Sequence, residues 1–183
     1  MKIYTIIGGV NGTGKSSLTG VLTAETKDLG TIIDVDKLNI QFGSSLQGGK
    51  EAVRLIDDCI KQGKSFTQET TLSGHKTAIT AQKAKAEGYI VRLYYVGISS
   101  VDESLRRIAN RVQKGGHDIP PLDVIRRFQT RYQDIAAVLP YCDEAVFYDN
   151  ENGFHVVAEY RNGKLIQKSD PLPKWITELS DYV

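Results

Sequence analysis

Apolar positions along this chain follow two alternating periods. Short runs such as Ile3-Tyr4-Thr5-Ile6-Ile7 are apolar throughout and have the look of strands buried on both faces. Between such runs, residues such as Leu18, Val21 and Leu22 recur at helical spacing. The pattern predicts strands over 2–8, 31–35, 64–69, 89–97 and 143–149, and helices over about 15–25, 50–62, 75–87, 101–114 and 121–138. Strands alternating with helices imply an α/β fold of three layers, with a mainly parallel five-stranded sheet covered by helices on both faces. Beyond residue 150 the pattern changes. Phe154–Tyr160 and Lys164–Gln167 flank Arg161-Asn162-Gly163, which reads as a β-hairpin, and a short helix is expected after Pro173. This appendage, about 151–183, is expected to cover one sheet edge. No repeat or low-complexity linker interrupts the chain, so 1–183 is expected to be a single domain.

Composition narrows the class. With 183 residues, 40% of them hydrophobic, the chain can bury a real core. A net charge of +1, from 23 basic and 22 acidic residues, exerts no general pull toward nucleic acid or membranes, and neither is expected as a partner. No apolar run approaches the ~20 residues of a membrane span, and the chain opens into a strand instead of a charged leader with a long apolar stretch. Cys59 and Cys142 stand far apart with no C-x-x-C spacing, so neither disulfides nor a zinc site is expected. A cytoplasmic location follows as the expectation.

The strongest chemical signal is Gly9-Val10-Asn11-Gly12-Thr13-Gly14-Lys15-Ser16, a complete match to G-x-x-x-x-G-K-[ST] between the first strand and the first helix. Glycines let backbone N–H groups curl around phosphate oxygens, and the following helix adds the positive end of its dipole. Gly9, Asn11, Gly12, Thr13, Gly14, Lys15, Ser16 and Ser17 are therefore the expected contacts to a nucleotide, ATP or GTP. Lys15 is expected to reach the β- and γ-phosphates, and the Ser16 hydroxyl to ligate Mg2+.

Ligands of open parallel sheets bind beyond the carboxyl ends of the strands, where three polar groups stand out. In Asp34-Val35-Asp36, after the second strand, Asp36 could accept a proton from a substrate hydroxyl or hold magnesium through water, while Asp34 is expected to cap the next segment. In Thr67-Gln68-Glu69-Thr70-Thr71-Leu72-Ser73-Gly74, residues Glu69, Thr70 and Thr71 could bind a polyhydroxylated acceptor or help hold the metal, with Ser73 as the N-cap of the next helix. No apolar run ends in the usual metal-binding Asp, so that role falls to Glu69 or Asp36. The third group is basic. Leu105, Ile108 and Val112 form a core stripe, with Arg107, Arg111 and Lys114 on another face. Two arginine-bearing helices joined by Gly-Gly-His-Asp-Ile-Pro form an expected lid over about 106–127, in which Arg107, Arg111 and Arg127 neutralise phosphoryl charge in the transition state. Arg106 and Arg126 stay open between lid and solvated face. His117 either bonds phosphate or fixes the turn, and His75 and His155 are read as structural.

Taken together, the phosphate loop, Asp-Val-Asp, Gln-Glu-Thr-Thr-Leu-Ser-Gly, Arg-Ile-Ala-Asn-Arg-Val-Gln-Lys-Gly-Gly-His-Asp-Ile-Pro and Arg-Arg-Phe resemble the zeta toxin family of bacterial P-loop kinases, in its short branch, over about residues 3–150. The resemblance implies a kinase-type P-loop fold, ATP-dependent phosphorylation of a small molecule and an antitoxin as protein partner. In characterised zeta toxins the acceptor is a hydroxyl of a UDP-N-acetyl amino sugar. Carried over by position, Lys15 and Ser16 match the phosphate loop, Asp36 the catalytic base, Glu69 the substrate-side glutamate and Arg107 a phosphate-binding arginine. Gly-Gly-His-Asp-Ile-Pro stands where classical members place a second lid arginine, leaving His117, Arg111 or Arg127 to supply that charge. Two other readings share the phosphate side: a kinase of a nucleoside or another metabolite, and a nucleotide-dependent switch with slow ATPase activity.

Overall fold

A strand whose six residues are all buried can only lie inside a sheet covered on both faces, and β1 (Ile3–Gly8) is such a strand. The computed structural model describes residues 1–183, apart from the side chain of Ser45. β1 lies between β3 (Phe66–Thr70) and β4 (Ile90–Gly97), with β2 (Thr31–Asp34) beyond β3 and β5 (Glu144–Asp149) beyond β4, all parallel. Side chains alternate between the faces. Ile6 belongs to the large core shared with α3 (Ser45–Lys61), α4 (Lys76–Ala86) and α6 (Pro121–Val138), whereas Ile7 packs with Leu18 and Leu22 of α1 (Lys15–Glu25). The expected three layers are present.

The hairpin does more than shield an edge. β6 (His155–Arg161) pairs antiparallel with β5, and β7 (Lys164–Gln167) with β6, so the sheet has seven strands in the order β2-β3-β1-β4-β5-β6-β7 instead of the expected five. Two helices also depart from expectation. Residues 35–42 form α2 (Val35–Phe42), and α3 begins at Ser45 instead of near 50. Both starts carry local caps: the Asp34 carboxylate accepts from the Lys37 N–H at 3.1 Å, and Ser44 accepts from the Gln47 N–H at 3.4 Å. Gly48 and Gly49, poor helix formers, hid the first turn of α3 from the sequence pattern. In α5 (Val101–Gln113) the expected stripe is rotated. Ser104 is fully buried beside Ile108, while Val112 is 37% exposed, because this face packs onto the loop after β1, whose backbone offers a hydroxyl an acceptor.

Helix α7 (Lys174–Leu179) seals the face above β4 and β5. Trp175 is buried against Tyr95 and Phe147, and its indole N–H donates to the Asp149 carboxylate at 2.8 Å. On the opposite face, buried Arg92 donates to Thr5 and, through two bonds of 2.7 and 2.9 Å, to Asp28. Those bonds, with one from Thr26, hold the Asp28 carboxyl down at about 2. Among the described residues, no helix is long and apolar enough to cross a membrane.

Two stability measurements test this packing. Trp175→Ala empties a core site and leaves Asp149 Oδ1 without its donor, and is expected to cost about 3–5 kcal/mol in urea unfolding. Asp28 has a folded pKa below that of the unfolded chain (~3.9), so its contribution is present above that value and fades as pH falls toward 2. Asp28→Asn is therefore expected to be less stable than the native protein at neutral pH. The gap should close as unfolding is repeated through pH 4 down to 2.

Candidate active site

The loop that follows β1 wraps tightly enough to exclude side chains. Gly12 has φ +79 and Gly14 φ +100, and a Cβ would lie 2.8 Å from the Ser104 carbonyl oxygen at the first and 2.6 Å from Asn150 Nδ2 at the second. Gly14 is the N-cap of α1, with no side-chain cap and no acidic residue in the first turn. The first N–H groups of α1 thus meet no carboxylate of their own helix, which suits an incoming anion. Lys15 is buried and donates to the Val10 carbonyl at 3.1 Å. Burial pushes its ammonium pKa down, opposed by Asp36, Glu69 and Asp34.

Glu69 ends β3 beside the loop. Its Oε2 accepts from the Ser16 hydroxyl at 2.8 Å, and the residue is 4% exposed. Its other oxygen, Oε1, is buried without a hydrogen-bond partner among the described residues. An unpartnered buried carboxylate oxygen needs an explanation, and a cation supplies one. Ser16 and Glu69 are hard oxygen donors that fit magnesium. Among the described residues no group of three or more His, Cys, Asp or Glu could hold a metal, so remaining ligands would come from phosphate oxygens and water, as magnesium prefers.

These residues open onto a cleft of about 470 Å³. Of the residues expected from sequence, Asn11, Gly12, Gly14, Lys15, Ser16, Ser17, Asp36, Glu69, Thr70, Thr71, Arg107, Arg111 and Arg127 all line it. Gly9 and Thr13 do not; buried Thr13 turns its hydroxyl onto the Val10 carbonyl at 3.0 Å. His117 is exposed and outside the wall, touching the site only through its carbonyl, which accepts from Arg111 at 2.7 Å.

The local folding of each group follows from its place on a strand or helix end. Asp34 caps α2, as expected, and Asp36 occupies the first turn of that helix instead of a strand position. Ser73 does not cap α4; His75 takes that place without a side-chain bond, and Ser73 lines the cleft. Just before Ser73, Leu72, fully buried, adopts φ +64, a conformation costly for a bulky residue, with its N–H held by Thr70 Oγ1 at 3.0 Å. The arginines divide sharply. Arg127 donates to the Asn11 side chain at 2.8 Å, and Arg107 donates to Glu103 and to the Asn150 carbonyl. Arg106 and Arg126 are exposed and paired with Glu103 and Asp123, the solvated-face outcome. Bonds from Arg106 and Arg107 hold the Glu103 carboxyl down at about 2.

A family model described as zeta toxin matches residues 47–156, more than half of the chain. The chain belongs to the zeta toxin family. An uncharacterized protein of Haemophilus influenzae is 35% identical over 117 residues, which cover 61% of this chain and 81% of that one. Among solved structures, one from the PezAT chromosomal toxin-antitoxin system of Streptococcus pneumoniae superposes with a TM-score of 0.66 at 17% identity, covering 100% of this chain and 86% of that one. A complex of AvrRxo1-ORF1 and -ORF2 with ATP superposes at 0.64 and 18% identity, covering 92% and 61%. At such identities the likeness is one of fold. The zeta toxin match starts downstream of the phosphate loop, so the reading of residues 9–16 stands on their own geometry.

Sequence reasoning passed over several lining residues: Lys76, Thr77 and Thr80, with Ala52, Val53 and Ile56 as an apolar floor. They sit inside helices and carry no motif. Asn150 was also passed over, although it follows closely on a strand end as Asp36 does, and that position was the available signal.

Lys15→Ala removes the cleft's most buried cation while cutting only one bond to a loop carbonyl. Since hydrogen bonds to charged groups contribute about 1.5–3 kcal/mol, Mg-ATP binding by calorimetry is expected to weaken by at least ~10-fold, with little change in thermal midpoint.

Proposed function

We propose that this chain is an ATP- and magnesium-dependent phosphotransferase whose acceptor is a hydroxyl of a UDP-N-acetyl amino sugar or a related small metabolite. One observation carries the reading: a single cleft holds the phosphate-loop Lys15 and Ser16, the carboxylates Asp36 and Glu69, and three arginines. Residues 1–183 then act as one kinase domain, with α5 and α6 forming the lid over about 106–127. An antitoxin is the proposed protein partner, a reading supported by the likeness in fold to the PezAT toxin-antitoxin structure.

In this mechanism the loop N–H groups and Lys15 hold the β- and γ-phosphates, and Ser16 with Glu69 would hold magnesium, which when bound would supply further positive charge to offset that of the phosphates. Asp36, in the first turn of α2, takes the proton from the acceptor hydroxyl as its oxygen attacks the γ-phosphorus. The bond from that phosphorus to the β–γ bridging oxygen breaks, and ADP leaves with the electron pair. Arg107, Arg111 and Arg127 stabilise the charge on the transferring group. The acceptor end of the cleft is rich in neutral hydrogen-bonding side chains, among them Asn39, Gln68, Thr70, Thr71, Ser73 and Thr80, above an apolar floor. Such a wall suits a polyhydroxylated, amide-bearing acceptor.

The test incubates the protein with Mg-ATP and a panel of UDP-amino sugars, nucleosides and sugar alcohols, followed by mass spectrometry for a gain of one phosphate. A phosphorylated UDP-amino sugar is expected. A phosphorylated nucleoside alone would move the acceptor class, and ADP release with no phosphorylated product would favour the switch. Asp36→Asn is expected to lower kcat by roughly 10²–10⁴ while Mg-ATP still binds. Unchanged turnover would remove Asp36 as the base.

A further inference from the structure

We infer that Asn150 is a positioning residue for the nucleotide, fixing the phosphate loop through its side chain and Arg107 through its main chain. The inference rests on the reading of the cleft as a nucleotide site. Asn150 follows the last residue of β5, and its N–H donates to the Gly97 carbonyl at 3.1 Å, extending the pairing of β5 with β4 by one bond. From that anchored position its side-chain amide donates to the Thr13 carbonyl at 2.7 Å. In a trans peptide the C=O and the next N–H point to opposite sides. A donor that holds the Thr13 oxygen outward therefore holds the Gly14 N–H on the other side of the loop, where a phosphate cradle needs it.

The same residue offers its own carbonyl to Arg107 Nη2 at 2.7 Å, reinforced by the Glu151 carbonyl at 3.3 Å. Arg107 is thus oriented from both sides, by the Glu103 carboxylate of its own helix and by these two neutral carbonyls of the loop after β5. One backbone segment sets both the loop that receives the phosphates and a cation expected to face them.

The segment is itself braced. Asp149 Oδ1 accepts from the Trp175 indole at 2.8 Å and Oδ2 from the Glu151 N–H at 3.2 Å, while Glu151 Oε1 accepts from the Ser99 N–H at 2.6 Å. Trp175 in turn lies so close over Gly97 that a Cβ there would be 2.4 Å from its ring. The C-terminal appendage therefore braces the edge of the site, a role distinct from lengthening the sheet.

The experiment compares Mg-ATP affinity by calorimetry for the native chain, Asn150→Ala and Asn150→Asp, with thermal midpoints as the check on folding. Both variants keep the main-chain acceptor for Arg107, so they isolate the side-chain arm. Loss of one donor to the loop is expected to weaken binding by about 5–10-fold in Asn150→Ala. Asn150→Asp places a carboxylate oxygen against the Thr13 carbonyl and is expected to bind more weakly still. Its affinity relative to native should recover only as pH is lowered toward about 4, because protonation of a carboxyl with an ordinary pKa of ~3.9 restores a donor. A merely structural role would lower thermal stability and give a ratio that does not change with pH. Should Asn150→Asp fail to fold, Asn150→Ala carries the test without a charge.

Native-like affinity in folded variants, or a pH-independent loss, would overturn the positioning role and leave the kinase reading intact. Reduced affinity in the variants of a chain that binds ATP but transfers no phosphate would support the role and overturn the kinase reading. A native chain that binds no nucleotide would overturn both.

Discussion

Close backbone approach at the phosphate loop is the constraint on which the rest of this structure depends. The loop is clamped from two sides, and each clamp uses a glycine. At Gly12 the carbonyl of Ser104 in α5 comes so near that a Cβ would sit 2.8 Å away, and at Gly14 the amide of Asn150 does the same at 2.6 Å. Each clamp carries a hydrogen bond to a loop carbonyl, from Ser104 to Asn11 and from Asn150 to Thr13. Outward-facing carbonyls are the counterpart of inward-facing N–H groups, so the segments that grip the outside shape the anion site within. Arg107 belongs to α5 and binds the Asn150 carbonyl, so it joins the two clamps to each other.

Charge balance inside the cleft follows from this geometry. Lys15 is driven toward neutrality by burial, and the carboxylates that oppose the shift, Asp36, Glu69 and Asp34, come from the carboxyl ends of two neighbouring strands and the turn after one of them. The parallel pairing of β2 with β3, which sets Asp34 opposite Glu69, brings them together. A buried lysine flanked by acids, in a cleft that also holds three arginines, suits the anionic, magnesium-bound nucleotide proposed for it. The free Oε1 of Glu69 is the local sign of that unfinished balance. Glu103 illustrates how position divides like residues: it pairs with both Arg106 and Arg107, yet Arg106 is left in solvent while Arg107, four residues after Glu103 and 22% exposed, is turned onto the loop after β5.

The phosphate side was legible in the sequence because its chemistry is local. A strand, six residues of loop and a helix lie consecutively, and the acids that face them sit where apolar runs stop. β1 and β4 were legible because a strand buried on both faces is apolar at nearly every position, whereas β3 is buried although four of its five residues are polar. What escaped lacked a local signal. Helix α2 owes its start to the Asp34 cap more than to an apolar stripe, and none of its residues is fully buried. The hairpin was recognised, but its pairing with β5 joins strands whose register shifts between Phe147 and Tyr148, a feature no spacing rule encodes. Val112 was misplaced because the stripe was judged by hydrophobicity alone, whereas the buried face of α5 puts a serine against a loop that offers a carbonyl oxygen.

The acceptor end was the least legible part, and the reason bears on how specificity arises in such a site. Phosphate recognition uses backbone N–H groups and a few charges, so it tolerates little variation in sequence and leaves a motif. The opposite wall is assembled from α2, α3, the end of β3 and α4, four elements spread over some forty residues, each contributing neutral side chains whose neighbours in sequence point elsewhere. Leu72, held in a left-handed conformation between Thr71 and Ser73, shows that the chain tolerates local strain where it turns these side chains toward the cleft. On the proposed reading the nucleotide is held largely by backbone and the acceptor by scattered side chains, so substitutions that retune the acceptor can accumulate without disturbing the phosphate site. The scaffold can therefore hold nucleotide chemistry fixed while its acceptor changes.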